Sequence, residues 1–188
     1  MQSRAPLLVI VSGAPASGKT TLATRFAADL GLLLIGKDAL KEAISEAIGV
    51  PGDVAASSRL GSAAYSALFT LARETLAAGE GVVIESNFRR RTSEAEFRPL
   101  LRLGDARLIH CRARADVMAF RYRDRGSQGR RHAAHRDDER SSDVTADLES
   151  GAYEPPDLSV PTMVVSTDDG LVPAYGEIVA FAARATTR

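Results

Sequence analysis

The chain is poor in the features that would tie it to a membrane, an oxidising compartment or a nucleic acid. No apolar run in its 188 residues approaches the roughly 20 needed to cross a bilayer, so no membrane contact is expected. A single cysteine, Cys111, cannot close a disulfide within the chain; beside Leu108 and Ile109 it reads as a buried strand residue. The formal net charge is zero and only 5 % of residues are aromatic. A nucleic-acid groove asks for surplus positive charge and stacking platforms, which makes such a partner unexpected, although the basic stretch 107–136 leaves a local patch open. Lysine is scarce as well: it occurs only at 19, 37 and 41, and arginine supplies the other 21 basic residues. Internal repeats and low-complexity tails are missing too. The N-terminus enters an apolar strand within about six residues, unlike a signal peptide, so a cytoplasmic location is expected. The length fits one domain, 1–188, with one sizeable core, as a monomer or a dimer.

What is present begins directly after the apolar run Leu7 to Val11. Gly13, Ala14, Pro15, Ala16, Ser17, Gly18, Lys19 and Thr20 have the spacing of a P-loop, whose backbone N–H groups turn inward around a phosphate. Lys19 reaches the terminal phosphates, the Thr20 hydroxyl ligates Mg²⁺, and Thr21 completes the phosphate-facing turn. The helix beginning at the second glycine adds its N-terminal partial positive charge.

Strand and helix alternate through the rest of the chain. Strands are expected at 7–12, 32–35, 82–85, 107–111 and 162–166. Helices are expected at 18–30, 39–48, 57–78, from 92 or 93 onward, at 115–125, 143–150 and 173–183. The helix from 57 carries two stripes, Leu60, Ala64, Leu68, Leu71 and Tyr65, Phe69, Ala72, Leu76, a wide face for a sheet. Thr92 or Ser93 is a plausible cap for the helix that follows. Residues 126–142 hold almost no large apolar side chain, cannot build core and read as an arginine-rich lid or a disordered segment. Connections too long for hairpins imply an α/β fold: a three-layer α/β/α P-loop NTPase architecture with a five-stranded parallel sheet, of nucleoside or nucleotide kinase type. In such sheets ligands bind beyond the C-terminal ends of the strands.

Phosphoryl transfer needs a phosphate cradle, a magnesium site, cations for developing charge and a group that positions the attacking hydroxyl. Glu85, at a strand tip, is placed to hold a magnesium-bound water; its alternative is a solvated strand end. Asp38 is the candidate base for an acceptor hydroxyl. Asp before a helical run is also a common N-cap, and the two roles are compatible because a carboxylate has two oxygens. Arg121 and Arg125 share a helical face at i, i+4, and Arg130 follows in the lid; their planar forks suit phosphate oxygens. Lys41, Asn87 and Arg89 are candidate acceptor contacts, with an exposed basic loop as the alternative for 89–91. His132, His135, His110 and Cys111 fit no familiar zinc framework. Residues 166–170, Ser-Thr-Asp-Asp-Gly, look like capping and loop chemistry, with proximity to a nucleotide base as the alternative.

Four matches carry a resemblance: residues 13–20, the strand end Ile35-Gly-Lys-Asp38, the run Val83-Ile-Glu85-Ser-Asn87, and Arg121-x-x-x-Arg125 leading into Arg130-Arg-His-x-x-His135. Together they resemble the small P-loop kinases grouped around polynucleotide kinase, chloramphenicol phosphotransferase, the zeta-toxin-like proteins and AAA-type ATP-binding kinases. The resemblance implies Asp38 as base, Mg²⁺ and ATP as donor, and lid arginines acting on the triphosphate. Two positions depart from that pattern: Glu85 stands where aspartate is usual, and Lys41 where many relatives carry arginine. Lysine grips phosphate as a point charge, which weighs against a phosphorylated or nucleic-acid acceptor. The expected activity is transfer of the γ-phosphate of ATP to a hydroxyl of a small molecule. A nucleoside, nucleotide or polynucleotide 5′-hydroxyl kinase is one alternative. An ATP-binding regulatory module that transfers nothing is another.

Overall fold

A computed structural model of the chain describes residues 5–127, 132–135 and 146–184. Five strands form one sheet: β1 (Leu7–Gly13), β2 (Leu33–Gly36), β3 (Val82–Glu85), β4 (Asp105–Arg112) and β5 (Thr162–Ser166). Their order is β2-β3-β1-β4-β5 and every pairing is parallel. The helices are α1 (Lys19–Leu30), α2 (Lys37–Ile48), α3 (Val54–Ala77), α4 (Glu94–Leu103), α5 (Ala115–Ser127) and α6 (Tyr175–Ala183). A 3₁₀ turn spans Ala133–His135, and residues 146–149 are helical.

The period-2 geometry of β1 explains why the sheet is covered on both faces. Leu8 and Ile10 point to one side, where they join Leu68, Ala72 and Leu76 of α3 and Phe97 and Leu100 of α4. Val9 and Val11 point to the other and meet Leu22, Phe26, Ile178 and Ala182 of α1 and α6. All four strand residues are fully buried, as a central parallel strand requires. On the first face Tyr65, Phe69, Phe88 and Phe97 contact one another with inclined rings, centroids 4.9 to 6.2 Å apart. The chain is thus a three-layer α/β/α P-loop NTPase fold. Among the described residues no helix is long and apolar enough to cross a membrane.

Several boundaries and faces differ from the sequence expectation, each for a local reason. α3 begins at Val54, not 57, because Asp53 caps it: the Ala56 N–H donates to Asp53 Oδ1 at 2.6 Å. Leu71, expected on the buried stripe, is 45 % exposed; the buried series runs Ser57, Leu60, Ala64, Leu68, Ala72, Leu76, so the packed face drifts past it. Ser93 occupies the N-cap position of α4 without capping it. Its hydroxyl donates back to the Arg89 carbonyl at 2.7 Å. β4 starts early, at Asp105, whose carboxylate takes both forks of the buried Arg107 at 2.7 and 3.2 Å.

His110 lies in mid-sheet beside Ser12 and Val164, buried, with Nδ1 lacking a hydrogen-bond partner among the described residues. Burial pulls its pKa down to about 4. The unfolded chain therefore takes up this proton near pH 6.5 while the folded chain refuses it until about 4, so stability present above 6.5 is lost as pH falls through that window. We expect urea unfolding to report a loss of about 3 kcal/mol between pH 7 and pH 4 from this residue. His110→Val should flatten that limb; an unaltered acid limb in the variant would assign the loss elsewhere.

Candidate phosphate and acceptor site

The five strands bring the end of β1, the start of α2 and the tip of β3 to one edge of the sheet, at the point where strand order diverges from β1. The loop after β1 is held in a shape few residues adopt. Gly13 has φ 147°, and a Cβ there would lie 2.4 Å from the Cys111 carbonyl oxygen. Ala16 sits at φ 62° and Gly18 at φ 81°, so the loop turns repeatedly through left-handed conformations, which turns backbone N–H groups toward a common centre. Lys19 is buried and folds back over the loop, its Nζ donating to the Ala14 carbonyl at 3.2 Å and standing 3.9 Å from Glu85 Oε1. The Ser17 hydroxyl is buried in the same loop with no hydrogen-bond partner among the described residues. Pro15 is half-buried, and Thr20 and Thr21 are exposed on the first turn of α1.

Glu85 is buried at the tip of β3. Its pKa is raised, first by burial and further by the Asp38 carboxylate; Lys19, a hydrogen bond from the Thr20 side chain and Lys37 oppose the shift. Lys19, Thr20 and Glu85 thus meet as one cluster. Burial pushes the thiol of Cys111, behind the loop, up to about 12.

Asp38 is not the helix cap that its position before an apolar run suggested. α2 begins at Lys37, Gly36 occupies the cap position in an extended conformation, and no side chain caps the helix. Asp38 sits inside the first turn, with Oδ1 3.6 Å from Lys37 Nζ and 4.0 Å from His135 Nδ1. His135 is buried and its Nε2 donates to Glu42 Oε1 at 2.7 Å. Asp38 and Glu42 lie one helical turn apart, so a single imidazole spans both. Lys41, between them on the helix, is 1 % exposed; its Nζ donates to Ser57 Oγ at 2.8 Å, and that hydroxyl donates to the Ala134 carbonyl at 2.7 Å. Residues 132–135 are therefore docked on α2 and α3. The expectation that 126–142 contributes no core is corrected here: Ala134 is small and fully buried, and His135 is buried with a hydrogen bond to Glu42. The remainder of that segment, 128–131 and 136–142, lies outside the described residues, and Arg130 with it. The backbone of Arg125 lies in α5.

Arg121 is held against the back of the loop. Nη1 donates to Thr167 Oγ1 at 3.0 Å and to the Ala16 carbonyl at 3.4 Å, and Nη2 donates to the Thr167 carbonyl. The Thr167 hydroxyl in turn donates to the Ser17 carbonyl at 2.8 Å, and its side chain stands directly behind Gly18. Arg121 and Thr167 brace the loop from outside. Sequence spacing does not single out Thr167 for this, because Ser17 lies 150 positions away.

A cavity of about 480 Å³ opens beside the loop, with Pro15 on one wall and Lys37, Asp38, Lys41 and His135 on another. Asn87 lines it, and its Oδ1 is buried with no partner among the described residues. Arg89 lines it too, but its guanidinium is ion-paired with Asp147 Oδ1, while the Tyr153 hydroxyl donates to Asp147 Oδ2 at 3.2 Å. No group of three or more His, Cys, Asp or Glu suited to a metal occurs among the described residues.

Comparison with known proteins places this geometry. The profile of an AAA domain, AAA_33, matches residues 8–149. A candidate kinase from Chloroflexus aurantiacus is 32 % identical, with a TM-score of 0.87 over 98 % of this chain and 100 % of that one. Kti12 from Chaetomium thermophilum, solved with ADP-AlF3, is 18 % identical with a TM-score of 0.63 over 94 % of this chain and 100 % of that one. A gluconokinase from Sinorhizobium meliloti is 22 % identical with a TM-score of 0.58, covering 96 % and 94 %. The last two likenesses concern the fold. No curated protein sequence matches the chain significantly.

Proposed function

Because the chain belongs to the AAA_33 family of AAA domains, we propose that it is an ATP-dependent phosphotransferase acting on a hydroxyl of a small molecule. One observation carries this reading: a single cavity is walled both by the P-loop, through Pro15, and by Asp38, so a donor phosphate and an acceptor hydroxyl have room to meet. The candidate kinase of C. aurantiacus, similar along its whole length, supports it.

In this reading the backbone of 13–20 cradles the phosphates, and the Ser17 hydroxyl, without a partner among the described residues, gains a phosphate or water oxygen. Lys19 swings from the Ala14 carbonyl to the terminal phosphates. The Thr20 hydroxyl and the Glu85 carboxylate beside it fit Mg²⁺, which takes one or two protein oxygens and completes its shell with phosphate and water. When bound, Mg²⁺ neutralises charge on the phosphate oxygens. Glutamate's extra methylene reaches that shell directly or through a water. Asp38 orients the acceptor hydroxyl and takes its proton, with Lys37 3.6 Å away. Arg121 serves nucleotide binding by bracing the loop, not by touching phosphate.

The test is ADP release by the purified chain with Mg²⁺ and ATP, with and without candidate acceptors. The expected result is an acceptor that raises ADP release above the acceptor-free rate with stoichiometric formation of phosphorylated product. Tight ATP binding that no sugar, polyol, nucleoside, nucleotide or oligonucleotide turns into transfer would favour a nucleotide-binding regulatory module instead.

A further inference from the structure

We propose that the acceptor is an uncharged, polyhydroxylated ring compound of the sugar or cyclitol class; this rests on the phosphotransferase reading above and concerns the acceptor half of the same cavity. The first argument is what the wall lacks. Among the described residues lining it there is no Leu, Ile, Val, Met or Phe. A hydrocarbon acceptor would recover little of the gain that apolar burial normally provides.

The second argument is charge. A phosphorylated or carboxylated acceptor needs cations held ready for it, preferably arginine forks. Among the described residues, three cations, Arg89, Lys37 and Lys41, line the cavity, and each is engaged by the protein. Arg89 is paired with Asp147, which the Tyr153 hydroxyl also holds. Lys37 stands 3.6 Å from Asp38. Lys41 is buried and donates to Ser57. Two carboxylates, Asp38 and Asp147, face the same space, and Glu42 stands behind His135. An acceptor carrying its own negative charge would meet these carboxylates with the cations already committed.

The third argument is what the wall offers. Serine, threonine and tyrosine are most of the remaining described residues lining it. Asn87 Oδ1 is buried and lacks a partner among the described residues, so an acceptor hydroxyl would satisfy it. The Tyr65 ring is fixed against Phe69 and Phe88, and burial raises the pKa of its hydroxyl, which stays neutral. Rigid tyrosine faces beside fixed hydroxyls suit a ring with apolar C–H faces and a polar rim. The step balances as follows. The acceptor hydroxyl gives its proton to Asp38 while its oxygen bonds to the γ-phosphorus; the bond from that phosphorus to the bridging oxygen breaks, and ADP leaves with the electron pair.

The test offers the full chain, with Mg²⁺ and ATP, a panel of neutral monosaccharides and cyclitols, the phosphorylated and carboxylated counterpart of each, and a 5′-hydroxyl oligonucleotide. ADP release and product mass are read. The expected result is turnover with a neutral compound at kcat/KM about 100-fold above its charged counterpart, the scale on which an interface rejects juxtaposed like charges. Equal or better turnover of a charged counterpart or of the oligonucleotide overturns this inference and leaves the phosphotransferase reading standing. No stimulation by any compound, with ATP still bound, overturns both. Asn87→Ala should raise KM for the neutral acceptor about 10-fold with kcat within about two-fold, the signature of lost uniform binding. An unchanged acceptor KM would contradict the placement of the acceptor against Asn87.

Discussion

Lys19→Ala is expected to lower turnover of Mg-ATP by a factor on the order of 10³ or more, the scale of removing a cation aimed at the transferring phosphoryl group. In the structure its Nζ lies between the Ala14 carbonyl and Glu85, inside the loop. In the proposed reading it leaves these partners for the terminal phosphates. The variant should stay folded, since the buried Glu85, already pushed toward its neutral form by burial, can hold a proton once its ammonium neighbour is gone. Single-turnover assays beside thermal melts separate the two effects. A folded Lys19→Ala protein with undiminished turnover would remove the loop from the chemistry.

Asp38→Asn is expected to lower kcat by about 100-fold or more, the range of lost general-base catalysis, while the Kd of Mg-ATP stays within about two-fold. The substitution keeps the shape of the side chain beside Lys37 and His135 but removes its charge together with its capacity to take a proton, so thermal melts accompany the kinetics. It does not disturb a helix cap, because α2 has none from this residue. A fall in kcat with an unchanged melting temperature is therefore a loss of catalysis and not of stability. Full activity with a true acceptor would show that the hydroxyl is deprotonated by something else. His135 is the nearest other candidate, 4.0 Å away and bonded to Glu42.

Much of the architecture could be read from the chain because it depends on near neighbours. The alternation that places Leu8 and Ile10 on one face and Val9 and Val11 on the other is a local property. So is the need for Gly13, where a side chain would strike Cys111. The start of α3 was also local and still overlooked: Asp53 before Val54-Ala-Ala is a cap signal that the Gly-Val-Pro-Gly break obscured. Other features had no local sign. Arg121 looks like a phosphate ligand at its spacing from Arg125, yet it is drawn to carbonyls at 16, 167 and 168 that only the folded sheet brings within reach. The burial of His135 depends likewise on Glu42, 93 positions away.

The brace behind the P-loop has a consequence for where this unit ends. Likeness to the AAA domain stops at residue 149, yet Thr167, whose hydroxyl holds the Ser17 carbonyl and accepts from Arg121, comes 18 positions later. A protein shortened to the matched segment would keep every residue of the phosphate signature and lose the wall it leans on, together with the outermost strand and Ile178 and Ala182 of the second core. The physical boundary of the unit is set by what supports the loop, and that support lies beyond the matched segment.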